Sequence, residues 1–149
     1  MLTGKKSYPT AKEIMDPPVL FNDKALEEMM AWKLRFFPNW NQKKKEEQLE
    51  ALSCLVKKLC VVYEVNVSVN KYGDQFCFSP GDNIIHLDKE NPSIISTLHE
   101  FRHRVNGPDE KSACRWSVQL FKRCFPGAFE RLEFYKGTHI LTRKKMNDG

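Results

Sequence analysis

Two early segments of the chain place their apolar residues at helical spacing. The first is predicted to begin at Asn22 or Asp23 and to end before Pro38, and the second covers about residues 42–63. In both, apolar side chains recur at i, i+3 and i+4 and so form one face of an amphipathic helix that packs on a core. Residues 1–20 contain three prolines, which predicts an extended N-terminal arm.

The pattern becomes alternating after these helices. Apolar and polar residues alternate over 64–70, which predicts a half-buried strand, and two further strands are predicted over 75–78 and 83–88. Residues 71–74 are predicted to form the turn between the first two strands. Because these connections are too short to hold crossover helices, we predict a small three-stranded, mostly antiparallel sheet within an α+β fold.

Helical spacing returns after the third strand. Pro92 or Ser93 is expected to open a helix, and Gly107 to end it. A following helix is predicted over 109–124, because apolar residues again recur at helical spacing. The C-terminal residues 137–149 are predicted to form a basic tail.

The composition indicates one domain over residues 1–149. The chain has 41% hydrophobic and 29% charged residues, which is ordinary for a globular protein of this length. It contains no apolar stretch near the about 20 residues that a membrane helix needs, and no apolar segment follows the first lysines as in a signal peptide. The five cysteines form no C-x-x-C pair, so reduced thiols are expected. We therefore expect a cytoplasmic protein without a membrane segment.

The positive charge changes this interpretation little. The formal net charge is +5, and basic residues cluster at 43–45, 57–58 and 143–145. We interpret the clusters as solvated helix faces and a tail, and nucleic-acid binding as the alternative.

The helix predicted after the third strand contains an H-E-x-x-H sequence, formed by His99, Glu100 and His103. Side chains four residues apart lie on one face of a helix, about 5–6 Å apart at Cβ, so both histidines can bind one metal ion. Glu100 lies about 100° round the helix, where a carboxylate can accept a proton from a metal-activated water. With four histidines in the chain, chance gives roughly 0.01 such matches. The alternative is a pair of surface histidines beside a solvated glutamate.

A catalytic zinc site needs a third protein ligand and an open position. We favour Glu110, because a tight helical hairpin brings the first turn of the next helix back to the histidines, and two histidines with one glutamate are a familiar catalytic zinc set. Asp109 and Cys114 are the competing candidates. Asp109 is also a plausible helix N-cap, and Cys114 is also explained by core packing.

The motif and the residues after it resemble the ImmA/IrrE-like metallopeptidases, which are common in phages and mobile elements. The resemblance covers roughly residues 83–126 and rests on H-E-x-x-H followed by Glu110, with Ala113 three residues later and the aromatic Trp116 three further on. It implies a minimal zincin-like fold with N-terminal helices and a small sheet whose edge strand precedes the active-site helix. The helix that bears the third ligand follows.

The resemblance also implies a site and a function. Carried over by position, His99, His103 and Glu110 become ligands of Zn²⁺ and Glu100 becomes the general base. The implied substrate is a cytosolic protein or peptide, such as a transcriptional regulator. Cys114 stands where the family usually has Asn or Asp, so the residues do not identify the outer partner of a ligand histidine.

Two further features of such a site remain open in the sequence. The oxyanion stabiliser has four candidates, His139, Tyr135, His86 and Tyr72. The strand over 83–88, if it is a sheet edge beside the site, can pair with an extended substrate peptide.

The leading hypothesis is a zinc-dependent metallopeptidase. One alternative is an interaction protein that keeps the zincin fold with little turnover, such as an anti-repressor or a host-factor binder. Another is a protease that acts on DNA-bound proteins, like the SprT-like family, through its basic residues. Metal content and the salt dependence of DNA binding distinguish these hypotheses.

Overall fold

Six α-helices and two small sheets make up residues 8–145, the part of the chain that this computed structural model describes. The helices are α1 (Ala11–Met15), α2 (Asp23–Phe36), α3 (Lys45–Tyr63), α4 (Ile94–Asn106), α5 (Glu110–Cys124) and α6 (Pro126–Glu130). The strands are β1 (Ser68–Gly73), β2 (Cys77–Ser79), β3 (Ile84–Asp88), β4 (Leu132–Phe134) and β5 (Leu141–Arg143). The predicted α+β class is confirmed.

The helices predicted from the apolar spacing are present, with one shifted start. α2 begins at Asp23, where the side chain of Asn22 accepts a hydrogen bond from the Lys24 N–H at 2.8 Å. α3 begins at Lys45 rather than near residue 42, because a separate 3₁₀ turn precedes it and follows Asn39, whose φ of 59° is left-handed. None of the helices in residues 8–145 combines the length and apolar character needed to cross a membrane.

The three-stranded sheet has the order β1-β3-β2, so β3 lies in its centre. β3 pairs parallel with β1 and antiparallel with β2. The prediction of a mostly antiparallel sheet is therefore wrong for one of its two strand pairs, and residues 83–88 do not form an edge. The physical reason is that β2, which lies between β1 and β3 in sequence, runs in the opposite direction to both. It returns the chain to the start of the sheet, so the parallel pair needs no crossover helix. The edge strands are β1 and β2.

β1 runs through the residues predicted as a turn. It begins at Ser68 and ends at Gly73. A Cβ at Gly73 would lie 2.8 Å from the backbone oxygen of Leu87, so glycine permits a close approach of β1 to β3 at this point. The glycine therefore marks a strand contact rather than a turn.

The predicted extended arm contains α1 within residues 8–20. Thr10 Oγ1 accepts a hydrogen bond from the Glu13 N–H at 3.3 Å, and the Glu13 carboxylate accepts one from the Thr10 N–H at 3.0 Å. This capping box forms the start of the helix, and the fully buried Ile14 packs against α5. The arm prediction is wrong here because the prolines flank the helix rather than interrupt it. Residues 1–7 lie outside the described part of the chain.

The predicted basic tail over 137–149 is partly a β-hairpin. β5 pairs antiparallel with β4, and the side chains of Phe134 and Leu141 pack against the apolar cluster that α1 and α5 share. The tail prediction is wrong because it followed the charge of this segment, whereas the burial of Leu141 depends on helices distant in sequence. Residues 146–149 lie outside the described part.

The core sets the orientation of α4 and α5. Leu98 and Phe101 of α4 are fully buried, and Trp116 and Leu120 of α5 are buried against the same cluster. The rings of Phe101 and Trp116 have centroids 6.2 Å apart. Because the apolar face of α4 is held in the core, its rotation is fixed, and its polar residues take defined positions beside α5.

Candidate metal centre

Two histidines on α4 stand one turn apart. The helix begins at Ser93, whose Oγ accepts a hydrogen bond from the Ser96 N–H at 3.1 Å. The four-residue spacing then places His99 and His103 on one face, with ring centroids 4.8 Å apart. This part of the site follows directly from helix geometry.

A sharp reversal between α4 and α5 brings Glu110 to the histidines. Gly107 ends α4 with a φ of 87°, a conformation that glycine adopts readily. Asp109 then caps α5, because its carboxylate accepts hydrogen bonds from the N–H groups of Lys111 and Ser112, both at 3.3 Å. Glu110 is the first residue of α5 and is 8% exposed. A carboxylate buried this far needs polar or cationic partners.

The three side chains meet at short distances. His103 Nε2 lies 2.7 Å from Glu110 Oε1, and His99 Nε2 lies 3.3 Å from Glu110 Oε2. The two Nε2 atoms are 3.1 Å apart. The structure thus brings together the three residues that the sequence predicted as metal ligands.

The position of the ring proton of His103 determines what its Nε2 atom presents to the Glu110 carboxylate. His103 Nδ1 lies 2.9 Å from the backbone oxygen of Gly107, which can only accept, so we assign the proton to Nδ1. In the neutral ring, Nε2 then presents a lone pair to a carboxylate oxygen of Glu110 at 2.7 Å. Two lone pairs at this distance repel each other. A metal ion held between the two atoms would offset this repulsion.

The donor set could hold a metal ion, and zinc is the ion to compare it with. In a tetrahedral site with bonds of about 2.0–2.1 Å, neighbouring ligand atoms lie about 3.3 Å apart. The separations of 3.1 and 3.3 Å are close to this value, whereas the 2.7 Å between His103 Nε2 and Glu110 Oε1 is shorter. Imidazole nitrogens with a carboxylate oxygen are also a ligand set that binds this metal.

Each histidine ring is also contacted at its Nδ1 atom, on the side of the ring away from Glu110. His103 donates its Nδ1–H to Gly107, and His99 Nδ1 lies 3.8 Å from Cys114 Sγ. Such outer contacts keep the rings of metal-binding histidines in one orientation. Cys114 thus supplies the outer partner that the sequence did not identify.

The two competing candidates for third ligand have other roles. The Asp109 carboxylate is occupied in capping α5. Cys114 faces Nδ1 of His99 rather than the point where the Nε2 atoms meet. Burial, followed by the negative charge of Glu110, raises the pKa of Cys114 to about 12.

Glu100 lies where two cavities meet. The larger has a volume of about 940 Å³, extends along α5 to β4 and β5, and includes His99 and Glu100 in its wall. The smaller, of about 740 Å³, is lined by His99, Glu100, His103 and Glu110, together with residues of β2. Glu100 thus lies beside the three convergent residues and lines both cavities.

Among the four oxyanion candidates, His139 lies at the site. It lines the larger cavity, and its ring stacks on Tyr8 with centroids 4.1 Å apart. Tyr8 lines the smaller cavity. Sequence reasoning missed Tyr8, because nothing in the local sequence of the arm indicates that it reaches the cavity beside α4.

The other three candidates lie elsewhere. His86 bonds to the side chains of Asn70 and Ser79 on the face of the sheet opposite the buried residues of β3. Tyr72 of β1 is 70% exposed, and Tyr135 is 50% exposed in a 3₁₀ turn.

Comparison of the chain with protein-family models, curated proteins and solved structures finds no match.

Proposed function

We propose that this protein is a zinc-dependent metallopeptidase with a zincin-like fold that hydrolyses peptide bonds of a cytosolic protein. The observation that carries the proposal is the convergence of His99, His103 and Glu110, with Glu100 beside them in an accessible cavity. The resemblance to the ImmA/IrrE-like metallopeptidases supports it and suggests a transcriptional regulator as the target.

The residues of the site divide the chemistry among them. His99, His103 and Glu110 would hold zinc, which when bound polarises the scissile carbonyl and lowers the pKa of water towards neutrality. A carboxylate oxygen of Glu100 accepts a proton from the attacking water and later donates it to the nitrogen of the leaving amine. His139, which lines the larger cavity, would donate a hydrogen bond to the developing oxyanion.

The edge strand β2 is suited to align a substrate. Within residues 8–145 it pairs with β3 on one side and with no strand on the other, and its Cys77 and Phe78 line the smaller cavity together with Glu100. An extended peptide can therefore add to this edge through backbone hydrogen bonds and lie across the site. β2 takes the role that the sequence assigned to residues 83–88.

Metal content is the first test. Wild type is expected to retain about one zinc per chain after dialysis, and His99→Ala and Glu110→Ala are expected to lose it. His86→Ala and Glu133→Ala serve as controls, because these residues lie outside the site. Circular dichroism of each variant separates metal loss from unfolding. Zinc-free wild type after loading with excess zinc would contradict the proposal.

The second test separates binding from chemistry. Glu100→Gln is expected to retain zinc and to lose cleavage of unfolded casein and of a mixed peptide pool, by about 10²–10⁴-fold if general base catalysis is removed. Zinc retained by wild type without cleavage of any peptide would favour the interaction-protein alternative instead.

A further inference from the structure

Four basic residues meet at the open end of the β4–β5 hairpin. Leu132 pairs with Arg143, and the Lys144 N–H donates a hydrogen bond to the backbone oxygen of Arg131 at 2.8 Å. The pairing places Arg131 beside Arg143, Lys144 and Lys145, although the whole hairpin separates them in sequence. All four side chains are exposed. We refer to these four residues as the basic cluster.

The basic cluster shares a cavity with the proposed catalytic residues. The cavity of about 940 Å³ has His99 and Glu100 in its wall, and all four members of the basic cluster line it too. The same cavity has apolar lining, including the buried Phe121 and the half-buried Leu132 and Leu141. Its volume lies within the about 300–1,000 Å³ typical of ligand sites.

No carboxylate of residues 8–145 forms an ion pair with the basic cluster. Within residues 8–145, its members take part in no ion pair at 4.0 Å or less. Glu130 is the neighbouring carboxylate on this cavity, against four positive side chains. An acidic ligand therefore gains attraction there without displacing a partner.

We propose that the basic cluster and the adjoining apolar wall form a specificity subsite for acidic peptide segments. A substrate would place a large apolar side chain against Phe121 and Leu141, and flanking Asp or Glu side chains at the basic cluster. This inference rests on the proposed peptidase function, because it assigns the substrate class of the same site.

A peptide fits this surface better than a nucleic acid. A single-stranded nucleic acid follows a track of basic side chains with stacking aromatics along its backbone. Among the described residues that line this cavity, Lys and Arg occur only in the basic cluster, at one end of the β4–β5 hairpin, so the lining offers no continuous basic track. A peptide can combine an apolar anchor with nearby carboxylates, which matches both parts of the lining.

Binding to the zinc-loaded Glu100→Gln variant tests the subsite without turnover. Calorimetry compares three peptides of about ten residues, roughly 35 Å when extended, each with a central Phe flanked by Glu, by Gln or by Lys. The Glu peptide is expected to bind at least about fivefold more tightly than the Gln peptide, and the preference is expected to shrink with added salt.

Charge-reversal variants test whether the basic cluster causes the preference for the Glu peptide. Arg143→Glu combined with Lys144→Glu, in the same Glu100→Gln background, is expected to abolish the preference for the Glu peptide. Lys24→Glu combined with Lys57→Glu makes the same change in net charge on exposed residues outside both cavities, and is expected to preserve it. Equal binding of the three peptides, or an unchanged preference after reversal at Arg143 and Lys144, would overturn the inference.

An oligonucleotide distinguishes a peptide subsite from a nucleic-acid surface. Cleavage assays show whether the subsite proposal or the peptidase proposal has failed. A duplex oligonucleotide that binds tightly, loses binding on reversal of Arg143 and Lys144, and competes with no peptide would show a nucleic-acid surface and overturn the subsite. Cleavage of Glu and Gln peptides by wild type at equal kcat/KM would overturn the subsite alone. Selective binding of the Glu peptide without any cleavage would support the subsite and contradict the peptidase function.

Discussion

His103 Nε2 lies 2.7 Å from Glu110 Oε1, across the reversal that joins α4 to α5. The same histidine reaches into that reversal with its other nitrogen, which donates to the backbone oxygen of Gly107. The turn between the helices therefore brings Glu110 to the histidines and also orients the ring of His103. The proposed metal centre depends on this turn as much as on the H-E-x-x-H sequence.

Gly107→Ala is expected to disturb both functions of the turn. A side chain at a φ of 87° is strained by about 1–3 kcal/mol, so the free energy of unfolding should fall by this amount. The zinc affinity should fall as well, because the partner of His103 Nδ1 moves. Urea unfolding and zinc titration measure the two effects.

Gly81→Ala is the matched control for that substitution, because its Cβ would meet no heavy atom within 4 Å. Its effect on stability and zinc affinity should be small. Similar losses in the two alanine variants would contradict the role assigned to the turn.

Zinc is expected to stabilise the fold. A ligand that binds only the native state adds about 2.7 kcal/mol to the free energy of unfolding at 100 times its Kd. Chelation with EDTA should therefore lower the thermal midpoint of wild type, and zinc should restore it. His99→Ala should lack this response, whereas His86→Ala should retain it. A thermal midpoint of wild type that is the same with EDTA and with zinc would contradict the ligand assignment.

Cys114 is expected to tune zinc affinity through His99 rather than bind the metal. Cys114→Ala removes the atom beside His99 Nδ1 and should weaken zinc binding by about tenfold. Cys114→Ser retains a hydrogen-bonding group there and should weaken it less. Cys124→Ala, which removes another buried thiol of α5, should leave affinity unchanged. Equal zinc affinity of the Cys114→Ala variant and wild type would rule out this positioning role.

The docking of α1 should depend on pH through Glu13. Hydrogen bonds from Thr10 and the nearby Lys111 hold the pKa of Glu13 below its ordinary value of 4.5. A lowered folded-state pKa adds stability above the ordinary value, and this stability is lost as the pH falls through the lowered one. Wild type should thus exceed Glu13→Gln in urea stability at about pH 6, and the difference should shrink as the pH falls below 4.5. A difference independent of pH would contradict this role.

Local signals predicted the helices well. Asn22, Ser93 and Asp109 were readable as helix starts, and all three cap helices with their side chains. The capping box of Thr10 and Glu13 carried the same kind of signal for α1 but was outweighed by the surrounding prolines. Each of these features depends on contacts within a few residues, which a sequence contains in full.

The sheet was predicted less well for a physical reason. Alternation over short segments identifies strands, but the order of strands depends on which neighbours they find in space. Gly73 illustrates this, because its close approach to Leu87 exists only once β3 lies beside β1. The same limit applies to Leu141, whose burial needs the distant helices α1 and α5.

The sequence by itself determined that His99 and His103 share a helix face with Glu100 beside them, because that geometry is set by residues within one turn of helix. It also indicated Glu110, since the link between the helices is short. Only the tertiary structure decided that Glu110 faces both histidines, that Cys114 contacts one of them, and that β2 is the strand beside the site. It alone joined Arg131 to Arg143, Lys144 and Lys145. These relationships form through packing between distant segments, which no local pattern encodes.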